Sequence, residues 1–590
     1  MKRWVRILLP MMLAVAPVLG QVLYISRFAV NVPFWDQWVF PPLLRVLSSP
    51  KMEQLWVALW NQNNEHRILF PKLVFLTLAR ISAWNVIAEM YVSWLLAGLT
   101  LVGLGLIYRK SCRGPLWGFV PLAWLVFSLG QYENILWGWQ LQIYLQVAAT
   151  TFGIYLLSHK SVQSVVWAAL CGIVASFSFN SGLLIWPVGL VCLVALRAEK
   201  KQLALWSLVG TLAVVAYYWG YVSPSYLPSP IWAFSHPITT VQFFLINVGA
   251  PLGGGNVEMS GIMGTYLIVL LCFFLYRELR MLARRGFQIP GSDVTLGSLV
   301  LLSLLTSLAI TFGRGGFETF DYAIHSRYTT ITSMTIAGLW MLFVKSSLPD
   351  GTSNESSLER ANSSLLSALL STLVIGLALS NLYGIRMGEA QHAGKLKMKY
   401  ALQTFETQPD GTLAGLFISP QIIREGAKFL KENRLSVFHE PVNMLLPTSS
   451  KGMPVGEILP DRPVVQSLKC PVQTLNDVEI RFATYARKNT SQVEITLTDG
   501  AKPLAQRSLS SVQIKDNSWV PVVLPSPIRD CKGSDLVLKI SSQDASPGNA
   551  VTIWTYPRYY EGDLVEPKDE SLADRVIGLE LNGVFYGLAQ

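Results

Sequence analysis

Charge is what this 590-residue chain has least of. Asp, Glu, Lys and Arg together make up 14% of it, against roughly 25% in soluble domains. With 51% hydrophobic residues, that deficit excludes an ordinary soluble globule and points to a polytopic membrane protein. The chain also lacks Cys-x-x-Cys pairs and His-rich stretches, so no metal-ligand spacing is present. Gly253-Gly254-Gly255 lacks the Lys-Ser/Thr and the strand-to-helix setting of a phosphate loop, and reads as a turn. No internal repeat or long low-complexity tract occurs. The net charge of +10 comes without a basic stripe interleaved with aromatics, which excludes nucleic acid as the partner. Many Lys and Arg residues lie instead in short loops between apolar runs, as the positive-inside rule distributes them.

Apolar runs predict eleven membrane-spanning helices, near 7–26, 84–108, 116–130, 140–158, 164–180, 182–196, 204–221, 258–276, 294–312, 327–344 and 364–382. Most have about the length that crosses roughly 30 Å of hydrocarbon. Lys2, Arg3 and Arg6 before the first run resemble a signal-peptide start, but the further spans favour an uncleaved helix with a cytoplasmic N-terminus. Two more apolar stretches, 68–82 and 238–252, decide the topology. Counting both as spans turns the clusters at Arg109/Lys110/Arg113, Lys160 and Arg197/Lys200/Lys201 outward. The positive-inside bias therefore favours eleven spans, with 68–82 and 238–252 interfacial or re-entrant. Residues 349–364, rich in Ser, Asn and Glu, read as a cytoplasmic loop.

An odd number of spans puts the C-terminus outside. Cysteine usage agrees, since Cys470 and Cys531 lie in the polar C-terminal part, where a disulfide would close a loop of about 60 residues, and disulfides are rare in the cytosol. Cys112, Cys171, Cys192 and Cys272 fall in or beside spans and read as packing. Three domains are expected: a membrane domain over 1–382 with an external loop at 27–83, an extracytoplasmic connector over 383–461, and a β-sandwich, jelly-roll-like, over 462–590. Alternation in 478–482 and 493–497, with turns at Asp499-Gly500 and Pro547-Gly548-Asn549, carries the last of these. Leu536–Ile540 reads as a more buried strand.

The topology gathers the polar residues on one side. They are Asp36, Gln37, Glu65, His66 and Arg67 in the first loop, then Gln131, Tyr132, Glu133, Asn134 and Trp139. His236, Asn256 and Glu258 follow, and last Arg314, Glu318, Asp321, His325, Arg327 and Tyr328. A pump or channel would string ionisable groups through its spans, and few are found there. A surface site is favoured over a conduction path.

Trp35-Asp36-Gln37-Trp38, Asn64-Glu65-His66-Arg67, Gln131-Tyr132-Glu133-Asn134 and Ser326-Arg327-Tyr328 resemble segments of poorly characterised bacterial members of the GT-C superfamily of membrane glycosyltransferases. The span count, the long first external loop with an early acidic residue and the soluble C-terminal region resemble that superfamily too. The resemblance implies a sugar donor linked to polyprenyl phosphate, an extracytoplasmic glycan or lipid acceptor of the cell envelope, and a bacterial inner-membrane location. The paired Asp-Asp or Asp-x-Asp of many members is absent, which leaves dependence on Mg²⁺ or Mn²⁺ open.

On this reading Asp36 is the base for the acceptor hydroxyl; capping of the following helix is its alternative role. Arg327, then Arg67, then Arg314 are candidates for the donor phosphate, each with a snorkelling role as the alternative. His66, beside Glu65, would orient a hydroxyl or a carboxylate, or only brace the loop. Glu133 and Asn134 would bind sugar hydroxyls or satisfy a helix end. Tyr328 adjoins Arg327. The tryptophans beside Asp36 are assigned to the interfacial aromatic belt. The C-terminal domain would bind carbohydrate, with Trp519, Trp554, Tyr556, Tyr559 and Tyr560 as stacking candidates. Two other function classes compete: a transporter or flippase of lipid-linked glycans, and a non-catalytic scaffold of polysaccharide assembly.

Overall fold

The computed structural model describes the chain apart from residues 1–2, 49–51, 285–288, 318, 348–355, 404, 407, 409, 440–451, 471–473, 501, 530, 532, 558–561, 568, 573–574, 582–583 and 586–590. Glu318, Tyr559 and Tyr560 lie outside the described residues. The chain divides into two compact units, Met1–Lys395 with Leu416–Ser436, and Leu396–Gly415 with Val437–Gln590.

The first unit is helical. Among the described residues five helices are long and apolar enough to cross a membrane: Ile7–Phe28, Val86–Ser111, Val257–Arg280, Gly291–Phe317 and Ser364–Gln403. Every stretch expected as a span carries a helix. One of them, 116–130, is broken: a 3-10 turn at Leu116–Phe119 leads into a helix of seven residues, Val120–Val126. Pro115 and Pro121 flank that turn and supply no backbone N–H to continue a helix through it. The helix expected at 364–382 runs on to Gln403.

The two ambiguous stretches are helices of 14 and 13 residues, Leu69–Ser82 and Pro237–Gly249. At about 1.5 Å per residue each is roughly 20 Å long, comparable with Val162–Ser176 and longer than Ile185–Ala195 among the expected spans, so length alone does not set them apart. Leu69–Ser82 carries Lys72, whose ammonium donates to the carbonyls of Ala58 (2.9 Å), Leu59 (3.2 Å) and Asn61 (2.6 Å). Those carbonyls end the Met52–Trp60 helix, so Lys72 supplies partners that the helix terminus lacks. The loop between the two helices, Asn61 to Ile68, is thereby anchored at both ends.

The second unit ends in antiparallel sheet. One sheet runs in the order Lys502–Ser510, Gln492–Asp499, Asp535–Ser541, Val464–Lys469, Leu564–Glu566. The other is centred on Thr474–Ala483, which pairs with Ser518–Arg529, Thr552–Pro557 and Leu579–Leu581. Val493, Ile495, Leu497, Leu538 and Ile540 of the first sheet share one buried cluster with Val478, Ile480, Phe482, Val522 and Ile553 of the second. The strand Asp535–Ser541 alternates buried and more open positions through Lys539. It is half-buried, where the run of apolar residues reads as a more buried strand. Gly500 and Gly548 take φ of 60° and 85°, the left-handed conformations that their turns require.

Cys470 and Cys531 form a disulfide across a sequence separation of 61 residues. Cys531→Ala is expected to destabilise this unit by about 2–5 kcal/mol. The midpoint of chemical denaturation, read by a β-sheet signal, would report it; an unchanged midpoint would show that the bond constrains nothing. Tyr556 is 4% exposed and accepts from Arg481 Nη1 at 2.6 Å, so it belongs to the core. Trp519 and Trp554 are half-buried, with the Arg481 guanidinium about 6 Å from each ring.

Candidate functional site

Asp36 sits in a 3-10 turn, Trp35–Val39. Trp35 opens it with φ of 47°, a left-handed conformation that a bulky side chain adopts only when neighbours impose it. Two fastenings do so here. The Trp35 N–H donates to Leu416 O at 2.9 Å. Gln37 accepts the Phe34 N–H (3.1 Å) and donates to Glu89 Oε2 (2.7 Å). Gln37 therefore does the capping that had been weighed for Asp36. The Asp36 carboxylate points elsewhere and accepts from Asn64 Nδ2 at 3.3 Å. Trp38 is fully buried and belongs to the core, not to an interfacial belt, whereas Trp35 is exposed.

Asn64 belongs to a tight turn in which the backbones of Asn63 and His66 exchange hydrogen bonds of 2.7 and 2.9 Å. The same turn carries Glu65, close enough for its charge to act on Asp36, and His66. Glu65 pairs with Arg314, which ends the Gly291–Arg314 helix, and accepts from the Tyr226 hydroxyl at 3.2 Å. Arg314 Nε reaches the Tyr328 hydroxyl at 3.2 Å. Residues from five separate segments thus meet at the ends of helices.

Arg327 is in the first turn of the Ser326–Ser346 helix. Glu133 and Asn134 brace that helix end. Glu133 Oε2 accepts from Ser326 Oγ (3.0 Å) and from the Arg327 N–H (3.3 Å), and Asn134 Nδ2 donates to Arg327 O (3.0 Å) and Thr330 Oγ1 (2.6 Å). The Arg327 side chain is held differently. Nη2 donates to His325 Nδ1 at 3.1 Å, and the buried Nε has no hydrogen-bond partner. A buried guanidinium nitrogen without an acceptor is costly, while the Arg327 side chain as a whole is only partly buried.

Arg67 does not share that freedom. Its nitrogens donate to the carbonyls of Tyr217 (2.5 Å), Trp60 (2.9 Å) and Trp219 (2.6 Å), and it is 4% exposed. The assignment of Arg67 to phosphate is corrected on this ground: it ties the first loop to the chain around 217–219.

The electrostatics separate the two carboxylates. Burial raises the Asp36 pKa; the Asn64 hydrogen bond and the Arg327 charge oppose this without reversing it, and Glu65 adds to the rise. For Glu65 the burial effect is overcome, and its carboxyl is held down to about 2. Burial lowers His66 to about 4, against the pull of Glu65. His66 is therefore neutral at pH 7, so the lasting cause of Glu65's ionisation is Arg314. His66 Nδ1 accepts from the Asn180 N–H at 3.3 Å and the ring stacks on Phe179, which leaves Nε2 to carry the proton toward Glu65, 3.6 Å away. His325 is also lowered, by burial and then by Arg327.

A folded-state pKa below the unfolded value makes His66 an acid-sensitive element. Its contribution is complete above about 6.5, the unfolded value, and is lost as pH falls toward about 4. The shift corresponds to roughly 3 kcal/mol. His66→Gln is expected to flatten the stability profile between pH 6.5 and 4, as read by thermal melts; an unchanged slope would remove His66 as the cause.

Sequence reading missed three participants. Tyr226 lies in a loop without periodicity. Glu89, 1% exposed, takes Gln37 on one oxygen and Trp84 Nε1 (3.1 Å) on the other. The buried Lys395 donates to Leu136 O and lies 5.6 Å from the Phe34 ring.

No protein-family model matches the chain. An alignment 267 residues long, covering 43% of the chain and 64% of the other protein, gives 24% identity to an uncharacterised protein of Archaeoglobus fulgidus. Among solved structures, the chain is similar to the archaeal oligosaccharyltransferase AglB of Archaeoglobus fulgidus in complex with an inhibitory peptide and a dolichol-phosphate. The identity is 13% and the TM-score 0.34, over 70% of this chain and 59% of that one. It is also similar to the arabinosyltransferase EmbB of Mycobacterium smegmatis, with 11% identity and a TM-score of 0.34, over 94% of this chain and 65% of that one. The chain thus spans less than two thirds of each of these proteins. At a TM-score of 0.34 neither likeness carries an argument.

Proposed function

We propose that the chain is a membrane glycosyltransferase of GT-C type. It would move a sugar from a polyprenyl-phosphate donor to an envelope glycan or lipid on the extracytoplasmic side. The observation that carries this reading is the pairing of unlike roles in one cluster: a carboxylate made more basic by burial, Asp36, and a partly unsatisfied guanidinium, Arg327, whose charge acts on it.

In the proposed step Asp36 takes the proton of the acceptor hydroxyl. The acceptor oxygen forms the new bond to the sugar's anomeric carbon, and the bond from that carbon to the phosphate oxygen breaks. The polyprenyl phosphate leaves with its negative charge beside Arg327, where charge-assisted hydrogen bonds are strongest. The Glu65–Arg314 pair, with Tyr226 and Tyr328, forms the fixed wall of the site. Among the described residues no group of three or more His, Cys, Asp or Glu side chains is placed to hold a metal ion. No step of the mechanism runs through Mg²⁺ or Mn²⁺. The eleven-span topology, the cytoplasmic N-terminus, the bacterial inner-membrane location and a carbohydrate-binding jelly-roll sandwich over 462–590 belong to the same proposal, as does the division at 382 and 461.

The test is label transfer. Membranes containing the protein are given labelled polyprenyl-phosphate sugars. Label appearing in a glycan or lipid through a new glycosidic bond supports the proposal. Label that crosses the membrane while still on polyprenyl phosphate would make the protein a flippase and contradict it.

A further inference from the structure

The 20 residues 219–238, which link the helix Lys200–Tyr218 to the helix Pro237–Gly249 and include the first two residues of the latter, hold no Asp, Glu, Lys or Arg. Loops in water are seldom so free of charge. Its apolar side chains are also left open: Trp219, Val222, Ile231, Phe234 and Ile238 are between 69% and 76% exposed. Large apolar side chains this exposed, within one short stretch of chain, point to an interaction surface.

Three observations say what covers it. First, the exposed residues continue a stripe on the preceding helix. Leu208, Leu212 and Val215 are exposed at the spacing of four and three that marks one helical face, and Trp219 and Val222, which follow the end of that helix at Tyr218, are exposed as well. Second, Phe234 lies against Phe312, with ring centroids 5.4 Å apart. Phe312 belongs to the 27-residue apolar helix Gly291–Phe317. At about 1.5 Å per residue that helix is about 40 Å long, some 10 Å more than the hydrocarbon core needs. Phe312 lies five residues from its end, about 7 Å in, and so at the hydrocarbon boundary. Third, the segment is rich in Trp, Tyr and Phe, the residues that settle at such boundaries.

We infer that residues 219–238 form a strap seated in the lipid leaflet on the side of the site, with bilayer lipid as the partner of its outer face. Its inner face is a wall of the site. Gln62 Nε2 donates to Val222 O (2.6 Å) and the Val222 N–H donates to Gln62 Oε1 (2.9 Å). Pro228 and Trp232 pack on Gly316, beside Arg314, so closely that a Cβ there would meet Pro228 at 2.5 Å. Tyr226 donates to Glu65. The leaflet thus borders the Glu65–Arg314 pair through one strand of chain, whatever reaction the site performs.

The test places a bimane label at Phe234→Cys in the full chain carrying Cys272→Ala, since Cys272 is the exposed free cysteine among the described residues. The protein is reconstituted into phosphatidylcholine–phosphatidylglycerol vesicles. A label at Val512→Cys, an exposed position in the β-sheet unit, is the water reference. Nitroxide-bearing lipids are expected to quench the Phe234 label at least fivefold more than the reference, and aqueous iodide to do the reverse. Equal iodide quenching at both positions would put the strap in water. Quenching by neither agent would show that protein covers it. Either result overturns the inference, and Ile238→Cys repeats the measurement if the first variant does not fold.

Discussion

Asp36→Asn is expected to lower sugar transfer from a polyprenyl-phosphate donor by about 10²–10⁴-fold, the range by which a positioned general base accelerates a reaction. The substitution is close to isosteric. An asparagine at this position still offers an oxygen to Asn64, and the turn that carries it is fastened through Trp35, Gln37 and Glu89 rather than through the carboxylate. Donor binding and thermal stability should therefore change little while turnover collapses. Because burial raises the Asp36 pKa, activity should also fall as pH drops below a value higher than that of an ordinary aspartate. Transfer by the variant within threefold of wild type, measured in membranes with equal protein, would remove Asp36 from the chemistry.

Arg314→Met is expected to destabilise the helical unit by about 3–5 kcal/mol, the usual cost of leaving one member of a buried ion pair alone. The Glu65 side chain is 11% exposed and its partner 20%. Without Arg314, Glu65 keeps the Tyr226 hydroxyl and His66, a neutral ring at pH 7. The variant's loss should shrink when Glu65→Gln is added, because the stranded charge is then gone. Unfolding in detergent, followed by tryptophan emission, gives both numbers. A loss unchanged in the double variant would mean that Arg314 acts through the Phe317 ring and its hydrogen bond to the Tyr328 hydroxyl and not through Glu65.

Much of this arrangement is legible in the chain because it rests on long-range patterns. Apolar runs predict the helices well, since a lipid-facing or buried helix needs continuous hydrophobicity. The run at 116–130 misleads because hydropathy ignores the backbone: Pro115 and Pro121 break the helix while leaving the run apolar. The charge asymmetry of the loops brings Asp36, Glu65, His66, Arg314 and Arg327 to one side before any coordinates. What it cannot do is tell one oxygen from another. Arg67 and Arg327 both look like phosphate contacts, but backbone carbonyls take the first and leave a nitrogen of the second unsatisfied. Glu89 and Lys395 sit inside long helices, where a single polar residue has no local pattern to announce a distant partner. Tyr226 meets Glu65 across a separation of 161 residues, and nothing near it in the sequence marks that contact.

The proposed reaction requires a lipid-linked phosphate held by Arg327 within reach of Asp36. The most direct measurement is a cryo-EM structure of the protein in lipid nanodiscs with polyprenyl phosphate added. The phosphate is expected at hydrogen-bond distance from the Arg327 guanidinium, on the Asp36 side of it, with the hydrocarbon chain leaving toward the membrane. Phosphate density at the other end of the helices, beside Arg277 and Arg280, with none at Arg327, would contradict it.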